Sequence, residues 1–495
     1  MRRKKIKILL VRLIGDDIYD SNTADYNVGL AFLSDIAKKE GAIVALKDPV
    51  TYIELIEFVS KSVFDIVGMN VHYLNIVNTL KAAKYIKENN QSYIIMGGHH
   101  VSAVAHEILE DNKYIDSVCV GEGEDVFRRL ITQLQNSRNV ERGVLYSEKF
   151  FDINSYELYD DHGIDHVRRL STSRGCLYSC SFCTTPAIHS MLDGPKLRSR
   201  NSKLIVNDIT NLVGKGANKI YFNDDTFVYK NKESYRRAYE ISEGLKKNNI
   251  CVHLKIQLRA DSFDYSSIYL LRKMRQVGFD AAFVGIESGS DNILYEYNKK
   301  TNNYKNIECV KTFDICRVQL NVGTILASPD STVFNVIESI NGLKKMCLAY
   351  MFFRRVTFRM NLFPGTEIER RLIRENRVIG EKRYLPRKYI FKDSQVERIV
   401  DVYEKIMPKY LHDIGDSIFK LRSRLIYLIY MRKVAREKMN LLFEWSDYSA
   451  NMLIMHFQKK SNYIQIYNDM EKYTMYCVGL SNVIDRLIGD YDYYV

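Results

Sequence analysis

The chain has 495 residues, of which 46% are hydrophobic and 27% are charged, fractions typical of a soluble globular protein. No run of about 18 apolar residues occurs, so we expect no membrane span. The net charge of +12 would suit nucleic acid, an anionic membrane surface or an acidic substrate. The basic residues are spread along the chain, however, and nucleic acid is not expected as the partner.

The first 130 residues alternate short apolar runs with amphipathic stretches. Three stretches have the period of a helix: Gly29 to Lys39, Thr51 to Ser60 and Ile76 to Asn89. Five apolar runs predict strands: Ile6 to Val11, Ala42 to Leu46, Phe64 to Met69, Tyr93 to Met96 and Ile115 to Val120. The alternation predicts a doubly wound, Rossmann-like α/β domain with a parallel sheet over residues 1–130.

Three Gly-rich or polar turns follow the later strands of this domain. They are Asn70 to Asn75, Gly97 to His100 and Gly121 to Glu124. Ligands of parallel sheets bind at the carboxyl ends of the strands, where these turns lie. The last turn lacks the third glycine of a dinucleotide fingerprint, so a nicotinamide or flavin dinucleotide is not indicated.

The alternation of apolar runs with amphipathic stretches stops over residues 131–167, which we interpret as a linker, and restarts over residues 168–370. Helices are predicted for Tyr235 to Asn248, Ser267 to Gly278 and Thr332 to Met346. Six strands are predicted: Arg168 to Thr172, Lys219 to Asn223, Val252 to Leu258, Ala281 to Ile286, Gln319 to Leu326 and about Arg355 to Leu362. Six β/α units predict a partial barrel with its active site at the C-terminal mouth. Residues 371–495 predict a helical C-terminal domain.

Three cysteines follow the first strand of the predicted barrel, at Cys176, Cys180 and Cys183. Thiolates select iron-sulfur clusters, zinc or Cu(I). No fourth cysteine is near, and His189 is the one close candidate for another ligand, so a four-iron cluster would keep one iron open for chemistry. A buried or zinc-bound structural cluster is the alternative. The other six cysteines are scattered, which argues against a secreted disulfide framework and for a reducing cytoplasm.

Charged side chains end three further strands of the predicted barrel. Asp224 and Asp225 follow the second strand, Arg259 the third, and Glu287 ends the fourth. These groups should converge on one rim of the barrel. The aspartates could instead cap a helix, and Arg259 could pair with Asp261.

The cysteine motif resembles that of the radical S-adenosylmethionine (radical SAM) superfamily, in which an aromatic residue, here Phe182, precedes the last cysteine. The resemblance implies a [4Fe-4S] cluster on the three cysteines. It also implies S-adenosylmethionine (SAM) contacts from Phe182, Asp224, Asp225, Arg259 and Glu287. One departure is the fifth-strand turn, where Ala327 replaces a glycine and Asp330 and Ser331 replace the usual Gly-Glu pair.

The N-terminal turns resemble the cobalamin-binding domain of one radical SAM branch. The matching motifs run from Gly97 to Ser102 and from Gly121 to Glu124, and the segment around Gly29 fits the first helix. No cobalt-ligating histidine motif occurs. The resemblance implies cobalamin contacts from Gly29, Asn70, Gly97, Gly98, His100, Ser102, Gly121 and Glu122. The alternative is a degenerate domain that keeps this fold without a corrinoid.

The resemblance, which covers about residues 5–370, implies a cytoplasmic cobalamin-dependent radical SAM enzyme. The leading hypothesis is a methyltransferase that C-methylates an unactivated carbon of a biosynthetic intermediate or peptide, through a 5′-deoxyadenosyl radical and methylcobalamin. Cyclisation or rearrangement without net methyl transfer is the main alternative, and a non-catalytic iron-sulfur protein is the other. A flavodoxin or ferredoxin would supply electrons. The sequence identifies neither the substrate nor the oligomeric state.

Overall fold

A six-stranded parallel sheet forms the N-terminal part of the computed structural model, with the strand order β2-β1-β3-β4-β5-β6. The strands are β1 (Lys7–Leu13), β2 (Ile43–Val50), β3 (Ile66–Asn70), β4 (Tyr93–Gly97), β5 (Ser117–Val120) and β6 (Gly143–Tyr146). The five predicted strands are present. The structure describes residues 5–14, 27–136, 139–148, 150–155, 167–346, 348, 359–406 and 436–489.

Both faces of this sheet are buried, as a doubly wound fold requires. Successive residues of β1 point to opposite faces: Leu9 and Val11 belong to one apolar core, Ile8 and Leu10 to another. The helices that cover the sheet are α1 (Val28–Lys39), α2 (Tyr52–Ser60), α3 (Ile76–Asn90), α4 (His99–Ser102), α5 (Ala105–Asp111) and α6 (Glu124–Gln135).

The start of α2 shows why these segments are helical. Thr51 accepts a hydrogen bond from the Glu54 backbone, and the Glu54 carboxylate accepts one from the Thr51 backbone, which completes a capping box. Leu55 and Val59 then bury the apolar face of α2. The N-terminal fold follows from the helical period and its caps.

Strand β6, which was not predicted, lies within the predicted linker and pairs in parallel with β5. A four-residue strand gives too short a pattern to be distinguished from an irregular segment. Residues 156–166 of the predicted linker lie outside the described residues.

A second sheet has the order β13-β12-β11-β10-β7. Its strands are β7 (Val167–Leu170), β10 (Lys219–Phe222), β11 (His253–Arg259), β12 (Phe279–Glu287) and β13 (Gln319–Thr324). The pairs of β10 with β7 and β11, and of β12 with β13, are parallel. Of the predicted sixth strand, Arg355 to Leu362, the first four residues lie outside the described residues, and residues 359–362 are described but do not form a strand.

A short antiparallel hairpin, β8 (Ser173–Gly175) with β9 (Leu197–Ser199), carries the cysteine loop and α7 (Thr184–His189) between its strands. The remaining helices of the central region are α8 (Ser202–Gly214), α9 (Lys232–Lys247), α10 (Ile268–Gln276), α11 (Asp291–Glu296), α12 (Asn303–Cys316) and α13 (Val333–Lys345). A short 3-10 turn, Tyr265–Ser267, precedes α10.

The C-terminal region is helical, as predicted. It contains α14 (Glu367–Arg374), a small hairpin of β14 (Val378–Ile379) and β15 (Lys388–Tyr389), α15 (Arg436–Gln458) and α16 (Tyr463–Gly489). Residues 394–406 are also helical. None of the described helices combines the length and the apolar character needed to cross a bilayer.

The chain divides into two units. Unit 1 comprises Met1–Phe227, Glu243–Ile256 and Asn361–Tyr389, and unit 2 comprises Val228–Ser242, Gln257–Met360 and Ile390–Val495. Strand β11 passes from one unit into the other. Residues 371–389, which the sequence analysis assigns to the C-terminal domain, lie in unit 1. The N-terminal sheet and the cysteine loop therefore belong to one unit, whereas Arg259 and Glu287 belong to the other.

Candidate active site

The cysteine loop of unit 1 begins at a residue that must be glycine. Gly175 has φ +90°, and a side chain there would collide with the Lys196 carbonyl and the His189 ring. Cys176 follows directly, and the Cys180 carbonyl accepts a hydrogen bond from the Cys183 backbone at 3.1 Å. All three cysteines are free thiols of intermediate exposure. The chain thus presents three soft donors on one loop.

The chemistry of these donors fits an iron-sulfur cluster. Burial raises the pKa of the Cys183 thiol to about 12, so this thiol stays protonated unless a metal ion displaces the proton. Within the described residues, no three His, Cys, Asp or Glu side chains are arranged as a ready metal site. Ligation by Cys176, Cys180 and Cys183 therefore remains a prediction from their spacing.

His189 is the last residue of α7, and its ring packs against Gly175. Burial lowers its pKa. Phe182, the aromatic residue of the motif, is partly buried.

Asp224 is buried and orients the strand that leads to the cysteine loop. Its carboxylate accepts hydrogen bonds from the backbone and the hydroxyl groups of Thr172 and Ser173. Asp225 accepts a hydrogen bond from the Thr185 hydroxyl at 2.8 Å, at the start of α7. Both aspartates therefore brace the segments on either side of the cysteines, and their contact with SAM stays a prediction.

Arg259 and Glu287 of unit 2 meet at Lys299. Arg259 is 4% exposed, pairs with Asp261 at 2.9 Å and donates to the Lys299 carbonyl. The Lys299 ammonium lies 2.7 Å from the Glu287 carboxylate. The pairing of Arg259 with Asp261 is the alternative considered from the sequence. No periodic pattern marks Lys299, which the sequence analysis missed.

Glu287 has a backbone that few non-glycine residues adopt, with φ +62°. Its carbonyl accepts a hydrogen bond from Ile325, and its side chain occupies space that any Cβ at Gly285 would invade. An unusual backbone held by its surroundings is common at ligand sites. The SAM contact predicted for Glu287 remains untested by this geometry.

The altered fifth-strand turn is closed by hydroxyl groups. The Ser331 hydroxyl accepts a hydrogen bond from the Ser328 backbone at 2.8 Å, and the Ser328 hydroxyl donates to Glu296. Thr332 then caps α13. Ser328 and Ser331 thus give this turn an ordered structure without the usual Gly-Glu pair.

The turns after β4 and β5 are joined through Ser102. Its hydroxyl donates to the Gly98 carbonyl at 2.9 Å and accepts from the Gly121 backbone at 3.1 Å. Gly98 has φ +121°, and a Cβ there would lie 2.5 Å from the Val71 carbonyl oxygen. A Cβ at Gly97 would meet one atom within 4 Å, the Cys119 Cβ at 3.9 Å. Gly98 is required by the fold, whereas Gly97 has room for a ligand.

His100 points into the protein. It is 4% exposed, and its Nε2 atom lies 2.8 Å from the Tyr384 carbonyl oxygen. Burial lowers the pKa of His100, and Arg387 acts in the same direction. A neutral ring that donates from Nε2 keeps Nδ1 as an acceptor, and Nδ1 is buried without a hydrogen-bond partner. That orphaned acceptor fits an amide donor such as a corrinoid side chain.

Asn70 lies at the end of β3, next to the start of α1. Its side chain accepts a hydrogen bond from Asn27, the residue that caps α1, at 3.3 Å. Gly29 follows in the first turn, with its ideal Cβ position 3.0 Å from the Asn27 side-chain oxygen. These two predicted cobalamin residues therefore share one polar neighbour.

Glu122 joins the turn after β5 to the hairpin that carries the cysteines. Its carboxylate pairs with Arg174 at 3.4 Å and with Arg198. Burial alone would raise the pKa of Glu122, but the two guanidinium groups and the Phe151 backbone lower it. Glu122 was predicted as a site residue but neither of its partners was, because residues 50 or more positions apart share no local pattern.

Comparisons with known proteins identify two domains of the chain. Residues 24–131 match the family model of the B12 binding domain, and residues 170–329 match that of the radical SAM superfamily. A protein of Pyrococcus horikoshii described as an uncharacterized methyltransferase is 27% identical over 401 residues, which are 74% of this chain and 83% of that protein.

Two further comparisons are informative. The 4'-phospho-dehydrooxetanocin synthase of Priestia megaterium is 24% identical over 344 residues, and the match spans 61% of this chain but less than half, 46%, of the synthase. The solved structure of the cobalamin-dependent SAM radical enzyme OxsB, with aqua-cobalamin and SAM bound, has a TM-score of 0.67 at 18% identity. It covers 98% of this chain and 80% of OxsB, and this likeness concerns the fold.

The fold and the cysteine loop define a radical SAM enzyme. The chain carries a B12 binding domain ahead of its radical SAM domain. The predicted fold class, enzyme class and cofactors, a [4Fe-4S] cluster, SAM and cobalamin, are thereby confirmed.

Proposed function

We propose that this enzyme C-methylates an unactivated carbon of a biosynthetic intermediate or peptide. The observation that carries the proposal is the contact, within unit 1, between the Gly121 to Glu124 turn of the B12 binding domain and the hairpin that holds the cysteines. A corrinoid on that turn and a cluster on that hairpin would serve one reaction centre. The methyltransferase description of the Pyrococcus horikoshii relative supports the same reaction.

The cofactors, when bound, supply a 5′-deoxyadenosyl radical from one SAM and a methyl group carried from a second SAM. The substrate would lose a hydrogen atom to that radical, which becomes 5′-deoxyadenosine, and would gain that methyl group. The other products are methionine and S-adenosylhomocysteine, and two electrons come from an external donor of the flavodoxin or ferredoxin type. The protein's task is to hold the reactants in place and to exclude water and competing quenchers.

The residues of this chain divide that task between the two units. In unit 1, Asp224 fixes the strand that enters the cysteine loop. Gly97 leaves room at the end of β4. In unit 2, Lys299 holds the carboxylate of Glu287, which we propose as a SAM contact together with Arg259.

The test uses SAM labelled in its methyl group, a chemical reductant, and small-molecule and peptide fractions of the source cells. We expect a labelled product to form together with 5′-deoxyadenosine and S-adenosylhomocysteine, in near equal amounts when uncoupled cleavage is small. A variant with Cys176, Cys180 and Cys183 replaced by Ala is the control and should form no product.

Similarity to the anaerobic magnesium-protoporphyrin IX monomethyl ester cyclase of Cereibacter sphaeroides, 24% identical over 319 residues, favours a second candidate, a cyclisation or rearrangement without net methyl transfer. In that case a product and 5′-deoxyadenosine would form without S-adenosylhomocysteine and without label. That outcome would replace methylation by the second candidate. The substrate, the electron donor and a cytoplasmic location remain part of the proposal.

A further inference from the structure

Four charged side chains connect the B12 binding domain to the hairpin of the cysteine loop. Arg174 contacts Glu122 and Glu124, and Arg198 contacts Glu122. We call Glu122, Glu124, Arg174 and Arg198 the carboxylate bridge. The two arginines are partners across the hairpin, since Arg174 of β8 pairs in register with Arg198 of β9.

The carboxylate bridge is largely shielded from water. The side-chain exposure of its members is 19% for Arg174, 14% for Arg198, 16% for Glu122 and 7% for Glu124. Aromatic rings cover the guanidinium groups: Phe32 and Phe151 lie 5.1 and 5.4 Å from Arg174. Shielding of this kind strengthens the attraction between the charges and limits the freedom of each side chain.

Both sides of the carboxylate bridge are next to groups that belong to the cofactor sites. Arg174 lies two residues before Cys176, and Glu122 follows Gly121 in the turn proposed to contact cobalamin. Leu192, in the segment after α7, packs against the same turn. A Cβ built at Gly121 would lie only 2.7 Å from the Leu192 Cδ1 atom. A shift of the turn would therefore be transmitted to the cysteine loop.

Buried ion pairs contribute little net stability compared with apolar side chains of the same size, but they can specify one arrangement of the groups they join. The planar guanidinium fork of arginine adds a fixed direction to each contact. Alignment matters for a methyl transfer, since a displacement of about 1 Å can slow a positioned reaction about 100-fold.

We propose that the carboxylate bridge sets the distance and orientation of the corrinoid relative to the iron-sulfur cluster. Its members are positioning residues that act through the turn and the hairpin. Glu122, whose carboxylate pairs with both arginines, is included in this role in place of the direct cobalamin contact predicted from the sequence. The inference rests on the cofactor assignment, and only its turnover measurement rests on the proposed function.

The main test is the double variant with Glu122→Gln and Glu124→Gln, which keeps the size of both side chains and removes both charges. The Asp208→Asn variant is the matched control, because Asp208 forms a buried ion pair with Arg200, next to the same hairpin, without joining it to the B12 binding domain. Anaerobically reconstituted protein is assayed for iron, corrinoid and thermal unfolding, and the magnetic interaction between Co(II) and the reduced cluster is measured by electron paramagnetic resonance.

We expect the double variant to retain both cofactors but to show a changed magnetic interaction, whereas the control matches the unmodified enzyme. Methylated product per 5′-deoxyadenosine should fall about 10-fold, with 5′-deoxyadenosine formation within about twofold of the unmodified enzyme. An unchanged magnetic interaction would overturn the inference. So would loss of either cofactor in proportion to lost thermal stability, because that result means a purely structural role.

A milder variant covers the case in which the double variant does not fold. Arg198→Lys keeps the positive charge and removes the guanidinium fork, and the same change of magnetic interaction is expected with both cofactors bound. An unchanged interaction in Arg198→Lys would then overturn the inference. If the unmodified enzyme forms no labelled product, the proposed methylation is refuted. The magnetic interaction between Co(II) and the cluster would still test the role of the carboxylate bridge.

Discussion

Glu287 depends on a single neighbour for its charge balance. Lys299 is the one cation within ion-pair distance of its carboxylate among the described residues, and both side chains are buried. Removing one member of a buried pair leaves the other uncompensated, at a cost of about 3–5 kcal/mol in stability. The proposed SAM contact therefore requires Lys299 as well as Glu287.

We predict that Glu287→Gln lowers reductive SAM cleavage while the corrinoid stays bound, because Glu287 belongs to unit 2 and the B12 binding domain to unit 1. Lys299→Met should lower the cleavage too. Lys344→Met is the control, since Lys344 forms a more exposed pair with Asp447. The measurement is the amount of 5′-deoxyadenosine released per enzyme. If both site variants cleave SAM as fast as the control does, neither Glu287 nor Lys299 takes part in SAM cleavage.

Gly97 and Gly98 allow a separate test of the corrinoid site. Ala at Gly98 would require φ +121° and a 2.5 Å contact with the Val71 carbonyl, so Gly98→Ala should destabilise the N-terminal fold. Ala at Gly97 has room. We predict that Gly97→Ala folds normally and that the larger Gly97→Leu loses corrinoid but keeps the cluster. Full corrinoid retention by Gly97→Leu would show that no corrinoid approaches this backbone.

At the scale of elements, the segment from Asn361 to Tyr389 packs on the B12 binding domain within unit 1. Buried Glu369 pairs with Arg383 and Arg387, and Arg383 reaches Glu107 on α5 at 2.6 Å. This contact could not be predicted, because its partners lie 276 positions apart.

We predict that Glu369→Ala destabilises unit 1 by about 3–5 kcal/mol, since it leaves the buried Arg387 without its carboxylate partner and removes one of the two carboxylates paired with the partly exposed Arg383. Glu375→Ala is the control, because Glu375 is exposed and pairs with Arg377 at 2.8 Å on the surface. Urea unfolding monitored by circular dichroism gives both values. Equal losses of stability in the two variants would show that Glu369 has no special role.

The helices and strands were largely predictable, because apolar runs such as Tyr93 to Met96 and capped helices such as α2 are local patterns. The hairpin of β8 and β9 was not, since each strand has three residues and no period can be read from three. The residues of the candidate site likewise fall into predictable and unpredictable ones. The cysteines are visible by spacing, whereas Lys299, Arg174 and Arg198 matter through partners that only the folded chain brings near.

At the scale of the whole molecule, two buried histidines make stability depend on pH. Burial lowers the pKa of His100 and of His456 from the ordinary value of 6.5, although Asp469 opposes this shift at His456. The unfolded chain therefore binds more protons than the native protein as the pH falls below about 6.5, and stability falls with it. The depressed pKa values of Glu122 and Glu369 act below about 4.5, outside this range. Burial raises the pKa of Asp314 to about 6, so protonation of Asp314 in the native protein opposes the two histidines near that pH.

We predict that the unfolding free energy of the apoprotein falls between pH 7.5 and 5.5, by up to about 1.4 kcal/mol per pH unit for each such histidine. His456→Gln should reduce that slope by as much as one histidine contributes. The measurement is the urea midpoint at several pH values in the two proteins. Identical slopes would show that His456 does not titrate differently in the folded and unfolded states.

In the proposed reaction, SAM serves this protein in two roles, as radical source at the cluster and as methyl donor to cobalamin. The most direct measurement needs no substrate: reduced, corrinoid-loaded protein is incubated with SAM labelled in its methyl group, and both coproducts and the extracted corrinoid are analysed. We expect 5′-deoxyadenosine, S-adenosylhomocysteine and a labelled methyl group on the corrinoid. When Cys176, Cys180 and Cys183 are replaced by Ala, 5′-deoxyadenosine should no longer form, whereas S-adenosylhomocysteine and the labelled corrinoid should still form. Formation of 5′-deoxyadenosine without S-adenosylhomocysteine or labelled corrinoid would contradict the proposed reaction.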